Sequence, residues 1–237
     1  MSDSVRGYDR LARWYGVLEK PVFRKDLQLA RVALLSELPP VDRILMLGDG
    51  DGRLLAEVLR TQPSARVTSV EQSPRMRRLQ KRRVTQLGAE DRVRLVCQDA
   101  RQWTAGGETF ACVIAPFFLD CFTESELECH LPQWMALVEP GGWFYHVDFV
   151  VPAAGWRRLR ATFWSAVMHR FFKWQTGLTV RELVPVEAFF DGADWVIQQT
   201  QTLNHGFVQS RLYRRNGLPL ATLGHSPDDT RPPVGGM

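Results

Sequence analysis

The chain has 237 residues, of which 45% are hydrophobic and 24% are charged, and its formal net charge at pH 7 is +4. This composition predicts one α/β domain with a full core, and it excludes a membrane span, because no run reaches the 18 or so apolar residues that one needs. The first residues lack an apolar signal core, so we expect a cytoplasmic protein.

The residues before the first strand predict two helices, between Tyr8 and about Glu37. The first contains Trp14 and Tyr15, which either fold over a ligand as a lid or pack into the core. The second has apolar residues at steps of three and four positions, which is typical of a packing stripe. These are Phe23, Leu27, Ala30, Leu34 and Leu38.

A glycine loop follows the apolar run at residues 43–47 and precedes a helical pattern that begins at Arg53. Such a loop allows a sharp turn and close approach of a ligand, and the helix start offers free N–H groups. Its spacing, Gly48-Asp49-Gly50-Asp51-Gly52, differs from the G-x-G-x-x-G of dinucleotide sites. The two aspartates would repel a pyrophosphate but tolerate a cationic amino acid, which favours S-adenosylmethionine over NAD. The alternative is an ordinary strand–helix turn.

Acidic residues follow the next two predicted strands. Glu71 ends the strand at residues 66–70 and lies 19 residues after Gly52. At an interval of about 20 residues an acid reaches ribose hydroxyls. Asp99 and Ala100 follow the strand at residues 93–97, where a carboxylate can accept from an adenine amine and the next N–H can address the ring.

The helix after Glu71 has Ser73 as a predicted N-cap, Pro74 in its first turn and six cations within residues 75–83. It is either a nucleic-acid patch or a solvated helix face. We favour the solvated face, because a buried stripe at near-helical spacing leaves the cations pointing outward. The stripe consists of Met76, Leu79, Val84 and Leu87.

Candidate acid–base residues lie after the fourth strand and on the fifth strand. These strands are predicted at residues 110–115 and 143–149. Asp120 could orient a substrate or take a proton, or it could cap the helix that begins near Thr123. On the fifth strand, which the turn at residues 139–142 introduces, His146 and Asp148 share one face. Asp148 is nearer the carboxyl end, and we interpret His146 as a hydrogen-bonded core histidine rather than a base.

The remaining third of the chain predicts a cap and a final hairpin. Residues 156–174 form a basic amphipathic pattern with tryptophans, which could lie on a membrane surface, pack on the sheet or roof an apolar pocket; we favour the roof. Runs at residues 195–202 and 207–214, joined by a turn that contains His205, predict an antiparallel hairpin. We expect the tail from residue 216 to be disordered.

The four cysteines form no C-x-x-C pair, and two of them, Cys97 and Cys112, fall within predicted strands. We therefore expect buried free thiols in a reducing compartment and no zinc site.

In this order, the glycine loop, Glu71, Asp99-Ala100, the Phe117-Phe118-Leu119-Asp120 stretch and Glu139-Pro140-Gly141-Gly142 resemble class I S-adenosylmethionine-dependent methyltransferases. The likeness is greatest to bacterial enzymes of the ubiquinone/menaquinone-methyltransferase type, which open with a helix similar to the one at residues 8–15. It implies a Rossmann-like, doubly wound α/β fold at residues 1–215. The sheet would have seven strands with the last antiparallel, after N-terminal helices, and a helical cap at about 153–190 between strands five and six.

The resemblance also implies the cofactor contacts. Gly48, Gly50 and Gly52 would line the methionine moiety, Glu71 the ribose, and Asp99 and Ala100 the adenine. The family usually has an acid where this chain has Met46, and Asp49 would supply some of the missing charge. The other residues implied near the cofactor are Tyr15, Gln72, Met76 and Ala115.

The expected reaction is methyl transfer from S-adenosylmethionine to O, N or C of a small, mostly apolar acceptor, at most with peripheral membrane contact. Such transfer needs mainly in-line alignment and desolvation, so a dedicated acid–base pair is not required. If a base acts, the candidates are Asp120, Asp148 and His205. The alternatives are an RNA methyltransferase that uses the basic helix and an inactive cofactor-binding regulator, which Met46 motivates.

Overall fold

The computed structural model describes residues 24–150, 184–192 and 194–217. The predicted helix that contains Tyr15, most of the predicted cap at 153–190 and nearly all of the predicted tail lie outside these described residues. Within them, no helix is both long enough and apolar enough to cross a bilayer.

The described chain alternates between strands and helices. The helices are α1 Arg24–Val32, α2 Arg53–Thr61, α3 Pro74–Gln86, α4 Glu124–Ala136 and α5 Glu187–Phe190. The strands are β1 Arg43–Leu47, β2 Arg66–Val70, β3 Val93–Val96, β4 Phe110–Pro116, β5 Val138–Phe149, β6 Trp195–Leu203 and β7 Val208–Arg215. Short 3-10 turns lie at Glu90–Arg92, Leu119–Cys121 and Asn204–Gly206.

The strands form one seven-stranded sheet in the order β3-β2-β1-β4-β5-β7-β6. Neighbours from β3 to β5 pair in parallel, whereas β7 pairs antiparallel with both β5 and β6. This confirms the predicted Rossmann-like sheet with an antiparallel last strand. The chain runs outward from β1 to β3 and then returns to β4 on the other side of β1. The crevice at this reversal is where open α/β sheets bind ligands.

The sheet is covered by hydrophobic residues on both faces. In β1, Ile44 and Met46 pack into a layer with α1, α2 and α3, while Leu45 and Leu47 pack into a second layer with α4 and α5. Successive side chains of β1 therefore point into two hydrophobic layers, one on each face of the sheet, as expected of a central parallel strand. The near-continuous apolar run before the glycine loop follows from this double burial.

Tyr145 fastens α1 to the sheet. Its hydroxyl donates toward the carbonyl oxygens of Ala30 and Arg31, at 3.2 and 2.9 Å, and accepts from the N–H of Leu34 at 3.3 Å. The hydroxyl of Ser210 also donates to the Ala30 carbonyl, at 2.7 Å. These contacts satisfy carbonyl groups that the end of a helix leaves without intrahelical partners.

Two local predictions differ from the structure. The segment at residues 139–142, predicted as a turn before the fifth strand, is part of β5, and the β4–β5 pairing shifts between Phe110↔Val138 and Cys112↔Trp143. Extra β5 residues bulge there. Cys112 is buried as predicted, but the prediction that Cys97 lies in a buried strand is wrong. Cys97 is exposed because β3 ends one residue earlier, at the edge of the sheet.

The N-terminus of α4 is closed by Thr123 and not by Asp120. The Thr123 hydroxyl accepts from the N–H of Glu126 at 3.4 Å, and the Glu126 carboxylate accepts from the N–H of Thr123 at 3.0 Å. This capping box satisfies two N–H groups at the helix start. The alternative in which Asp120 caps this helix is therefore wrong, and its side chain is available for other contacts.

We expect Thr123→Ala to lower the free energy of unfolding by about 1 kcal/mol, because the helix loses its N-cap. Urea unfolding of purified protein measures the change. Thr85→Ala, an exposed threonine in the last turn of α3, serves as the control and should change little. Equal effects of the two substitutions would contradict the role assigned to the cap.

Candidate functional site

The glycine loop and Glu71 are joined directly at the carboxyl ends of β1 and β2. The N–H of Gly50 donates to one carboxylate oxygen of Glu71 at 3.1 Å, and the N–H of Ser73 donates to the other at 2.9 Å. Glu71 is buried, with 6% of its surface exposed. One carboxylate therefore links the loop after β1 to the start of α3.

The loop requires glycine at two of its positions for steric reasons as well as for its backbone angles. Gly48 and Gly52 have φ values of 66° and 85°, in the left-handed region that side chains disfavour. A Cβ at Gly48 would lie 2.4 Å from Cδ2 of Phe118, and one at Gly52 would lie 3.0 Å from Cα of Gln80. The loop thus packs against the β4–α4 connection on one side and α3 on the other.

Gln80 is a structural residue of this site that the sequence analysis missed. Its side-chain amide donates to the Gly50 carbonyl at 3.0 Å and accepts from the Ser69 hydroxyl at 3.1 Å. The predicted stripe contained Leu79, yet Leu79 is only partly buried and Gln80 is fully buried. Its position four residues after Met76 and four before Val84, both buried, is the signal that could have identified it.

The carboxylate of Asp51 forms ion pairs with two arginines. Its carboxylate accepts from Arg53 at 2.9 Å and from Arg83 at 3.2 Å, and its carbonyl accepts from Nε of Arg83 at 2.9 Å. The prediction that the cations of α3 all point outward is therefore wrong for Arg83, which holds the loop. The exposed cations of this helix are Arg78, Lys81 and Arg82.

Asp49 is buried, and its carboxylate forms no ion pair with the described residues. One oxygen accepts from the N–H of Leu55 in the first turn of α2, at 3.0 Å. The other, Oδ1, is buried and has no hydrogen-bond partner among the described residues. Burial raises the pKa of Asp49 to about 7, although the Leu55 N–H opposes the rise. A ligand that carries a cationic or hydrogen-bond-donating group would satisfy Oδ1, so this acid fits an ammonium group.

Asp99 lies at the end of β3, beside β2, and is bound by a cation that the sequence analysis did not identify. The guanidinium of Arg101 donates to both of its carboxylate oxygens, at 3.1 and 2.6 Å, and also reaches Glu126 at 2.7 Å. Burial raises the pKa of Asp99, but the hydrogen bonds from Arg101 outweigh this and lower it overall. The carbonyl of Ala100 accepts from the indole N–H of Trp134 at 3.3 Å.

The other predicted cofactor neighbours lie near these strand ends. Met76 and Ala115 are buried, in α3 and β4 respectively, and Gln72 is partly exposed directly after Glu71. An aromatic cluster of Phe118, Phe122 and Trp134 packs beside the loop, with ring centroids 4.9 to 5.3 Å apart. Tyr15 lies outside the described residues.

The candidate acid–base residues meet at the carboxyl ends of β4 and β5. His146 Nε2 is 2.9 Å from Asp148 Oδ2, and the carboxyl groups of Asp148 and Asp120 are close enough for each to shift the pKa of the other. His146 is thus a hydrogen-bonded core histidine, as predicted. His205 lies in the turn between β6 and β7, and its side chain is outside the described part of the structure.

The strand order arranges these groups in one row. Asp99 follows β3, Glu71 follows β2, the glycine loop follows β1, and Asp120 follows β4. Phe118 connects the two halves, because its ring lies against Gly48 and Asp120 comes two residues later. A ligand along this edge would meet the Asp49 carboxylate near its middle.

Comparison with known proteins gives one family match: residues 44–142 match the family described as a methyltransferase domain. This segment, which is less than half of the chain, contains the glycine loop, Glu71, Asp99 and Asp120, and the match supports the prediction of a methyltransferase. No curated protein shows significant similarity to the chain.

Solved structures similar to this one include O-methyltransferases. An O-methyltransferase family 2 protein from Planctomyces limnophilus, in complex with apigenin, is 15% identical with a TM-score of 0.65, covering 86% of this chain and 61% of that one. An O-methyltransferase family protein from Burkholderia thailandensis is 16% identical with a TM-score of 0.65, covering 86% and 59%. The mitomycin 7-O-methyltransferase MmcR is 16% identical with a TM-score of 0.60, covering 85% and 60%.

At these identities the likeness shows the fold. The chain spans less than two thirds of the length of these three proteins, with 59% to 61% of each covered.

We expect Gln80→Leu to lower the free energy of unfolding by about 1–3 kcal/mol, because the Gly50 carbonyl and the Ser69 hydroxyl would lose their partner while buried. Urea unfolding measures the change. Gln86→Leu makes the same substitution at an exposed position of the same helix, so it controls for helix propensity. An equal loss in both variants would argue against the role of Gln80 in holding the loop.

Asp49 should make the stability fall as the pH rises from about 4 to about 7. Its folded-state pKa is raised above the usual 3.8 to about 7, so the native state binds more protons than the unfolded state in that window. The effect is on the order of 3 kcal/mol. Urea unfolding at pH 5 and pH 8 should show this fall in the wild type and a smaller one in Asp49→Asn. Asp91→Asn, at an exposed position, should behave as the wild type.

Proposed function

We propose that this protein is a methyltransferase that uses S-adenosylmethionine to methylate a small, mostly apolar acceptor. The observation that carries the proposal is the row of groups at one sheet edge, within the segment that matches a methyltransferase domain. The glycine loop, Glu71 and Asp99 follow three adjacent strands, which is the spacing that an amino acid, a sugar and a base in one extended ligand require.

The amino-acid part of the cofactor would be held by the glycine loop. Gly48, Gly50 and Gly52 keep the backbone free of side chains there, and Asp49 brings a buried carboxylate oxygen that has no hydrogen-bond partner in the described chain. An ammonium group would donate a hydrogen bond to that oxygen and favour the ionised form of Asp49. Asp49 would thereby replace the acid that the family usually has at the position of Met46.

The ribose and adenine would bind beyond the loop. A carboxylate can accept about four hydrogen bonds, so ribose hydroxyls can join the two N–H groups that Glu71 already accepts. Asp99 is held in place by Arg101, which fixes its orientation at the end of β3. Gln72, Met76, Ala100 and Ala115 would surround the base, and Tyr15 would close over it.

S-adenosylmethionine supplies an electrophilic methyl group when it is bound. The chain's own contribution would be to align the acceptor and exclude water, and the cluster of Phe118, Phe122 and Trp134 gives the crevice an apolar wall. Structures of similar fold include a mitomycin 7-O-methyltransferase and a protein in complex with apigenin, which supports a small-molecule acceptor. The predicted cap at 153–190 would roof the acceptor.

The finer parts of the proposal rest on the sequence. The likeness to ubiquinone/menaquinone methyltransferases depends on residues 8–15 and suggests a hydrophobic, aromatic acceptor. Of the candidate bases, Asp120 and Asp148 lie at the carboxyl edge of the sheet, and His205 remains a candidate on the hairpin turn. No metal is part of the proposal.

Isothermal titration calorimetry with S-adenosylmethionine and its demethylated product tests the proposal. We expect the wild type to bind both and Glu71→Ala to bind more weakly by about 1–3 kcal/mol, because a buried hydrogen-bond acceptor is lost. Glu71→Gln retains one acceptor oxygen and should lose less. Glu90→Ala, at an exposed position, should bind as the wild type.

Absence of binding to either compound would overturn the proposed function. Wild-type affinity in Glu71→Ala would remove Glu71 from the site. Thermal unfolding of each variant without ligand separates a lost contact from a lost fold.

A further inference from the structure

A buried polar cluster lies on one face of β5 and β7, beyond the groups assigned to the cofactor. In the β5–β7 register His146 is opposite Arg211 and Asp148 is opposite Gln209. Asp120 joins them from the turn that follows β4. His146 and Asp148 are 1% and 5% exposed, whereas Asp120 is only partly buried. The cluster therefore extends from the crevice into the core.

Asp120 and Asp148 form a coupled acid pair. Their carboxyl groups are close enough for each to shift the pKa of the other, and Asp148 Oδ1 has no hydrogen-bond partner among the described residues. Burial raises the pKa of both acids, and the charge of Asp148 raises that of Asp120 further. Two neighbouring carboxylates repel each other, and this repulsion favours a state in which they hold one proton between them.

His146 forms a hydrogen bond with Asp148, on the side of the pair that faces the core. Burial, followed by the positive charge of Arg211, lowers the pKa of His146 to about 4, so the imidazole is neutral. A neutral imidazole nitrogen either donates or accepts, and Nε2 can therefore pair with Asp148 in both protonation states of that acid. His146 is a positioning residue for Asp148, since it lies too deep to reach a ligand.

Among the described residues, the positive charge that lies beside the pair is already matched by an acid. Arg211 is bound to Glu187 of α5 and to Gln209, so its positive charge is already matched. The thiol of Cys121 is another polar neighbour, 3.5 Å from Asp120. A site with a net negative charge favours a group that donates a hydrogen bond and disfavours an anion.

We propose that the acceptor reacts through a hydroxyl or an amine, and that the Asp120–Asp148 pair is the base that takes its proton. The inference rests on the proposed function, because it concerns the acceptor end of the same crevice. Asp120 is the member that meets the acceptor, since it is the more exposed acid and lies two residues from Phe118, which contacts Gly48.

The step balances in atoms and charge. A bond forms between the acceptor oxygen or nitrogen and the methyl carbon while the carbon–sulfur bond breaks, and its electron pair remains on sulfur. The proton of the acceptor moves to a carboxylate oxygen of Asp120. The sulfonium and the singly charged pair thus become a neutral thioether and a neutral, doubly protonated pair, which returns one proton to solvent through Asp120.

Two acceptor probes with the same ring distinguish catalysis by this base from catalysis by alignment of the acceptor alone. The naphthols and naphthalenethiols differ at the reacting atom, and thiols ionise at lower pH than hydroxyls, so a thiol needs less help from a base. Full-length protein is incubated with methyl-labelled S-adenosylmethionine and either 2-naphthol or 2-naphthalenethiol. We expect Asp120→Asn and Asp148→Asn to lose about 100-fold or more in rate with naphthol and far less with the thiol.

The controls distinguish the base from a structural role. Asp42→Asn makes the same substitution at a side chain that is 77% exposed and should retain the wild-type rates. The wild-type rate with naphthol should fall at low pH as the pair takes its second proton. His146→Gln removes the imidazole but keeps an amide that can donate to Asp148 or accept from it, so it should shift this pH profile rather than abolish turnover.

Infrared spectroscopy tests the shared proton without turnover, in the Asp49→Asn background so that Asp49 does not contribute. We expect a buried protonated carboxyl band at neutral pH that changes in Asp120→Asn and in Asp148→Asn and disappears when the two substitutions are combined. Absence of the band, or wild-type rates with naphthol in Asp120→Asn, would overturn the inference. Calorimetric cofactor binding by the same variants shows whether the proposed function itself still holds.

Discussion

The contact between Glu71 and Gly50 is the interaction on which the site depends. A single buried carboxylate accepts from the loop after β1 and from the first turn region of α3, so two strand ends and a helix are held at one point. Gln80 and Arg83 then bind the Gly50 carbonyl and the Asp51 carbonyl from the same helix. The loop is thereby shaped before a ligand arrives, which reduces the ordering that binding would otherwise require.

The carboxylates of the site fall into two groups that serve different purposes. Asp51 and Asp99 are paired with arginines, and these ion pairs fix the surrounding backbone. Among the described residues, Asp49 and the Asp120–Asp148 pair form no ion pair with an arginine, and burial raises their pKa. Acids with raised pKa in a crevice are typical of functional sites, because their charge responds to the ligand. The arrangement therefore separates the acids that build the site from those that face the reacting groups.

Strand β5 serves the scaffold with one face and the crevice with the other. Tyr145 points toward α1 and accepts and donates hydrogen bonds at the end of that helix, while its neighbours His146 and Asp148 belong to the buried acid cluster. Period-two alternation makes this division possible within a few residues. The same alternation in β1 feeds two hydrophobic layers, so the strand that leads into the glycine loop is held rigidly from both sides.

The sequence by itself determined the features that depend on neighbours in the chain. Local spacing predicts the glycine loop, the capping box at Thr123, the shared face of His146 and Asp148 and the succession of strands along the chain. The convergence of Glu71 with the loop follows because parallel strands end at one edge of the sheet. Only the tertiary structure decided the contacts between distant residues. Gln80, Arg83 and Arg101 carry no motif, and their partners are set by how α3 and the β3 turn pack. The pairing of Asp120 with Asp148 arises because β4 lies beside β5 in a register that aligns their ends, and no local pattern specifies that register.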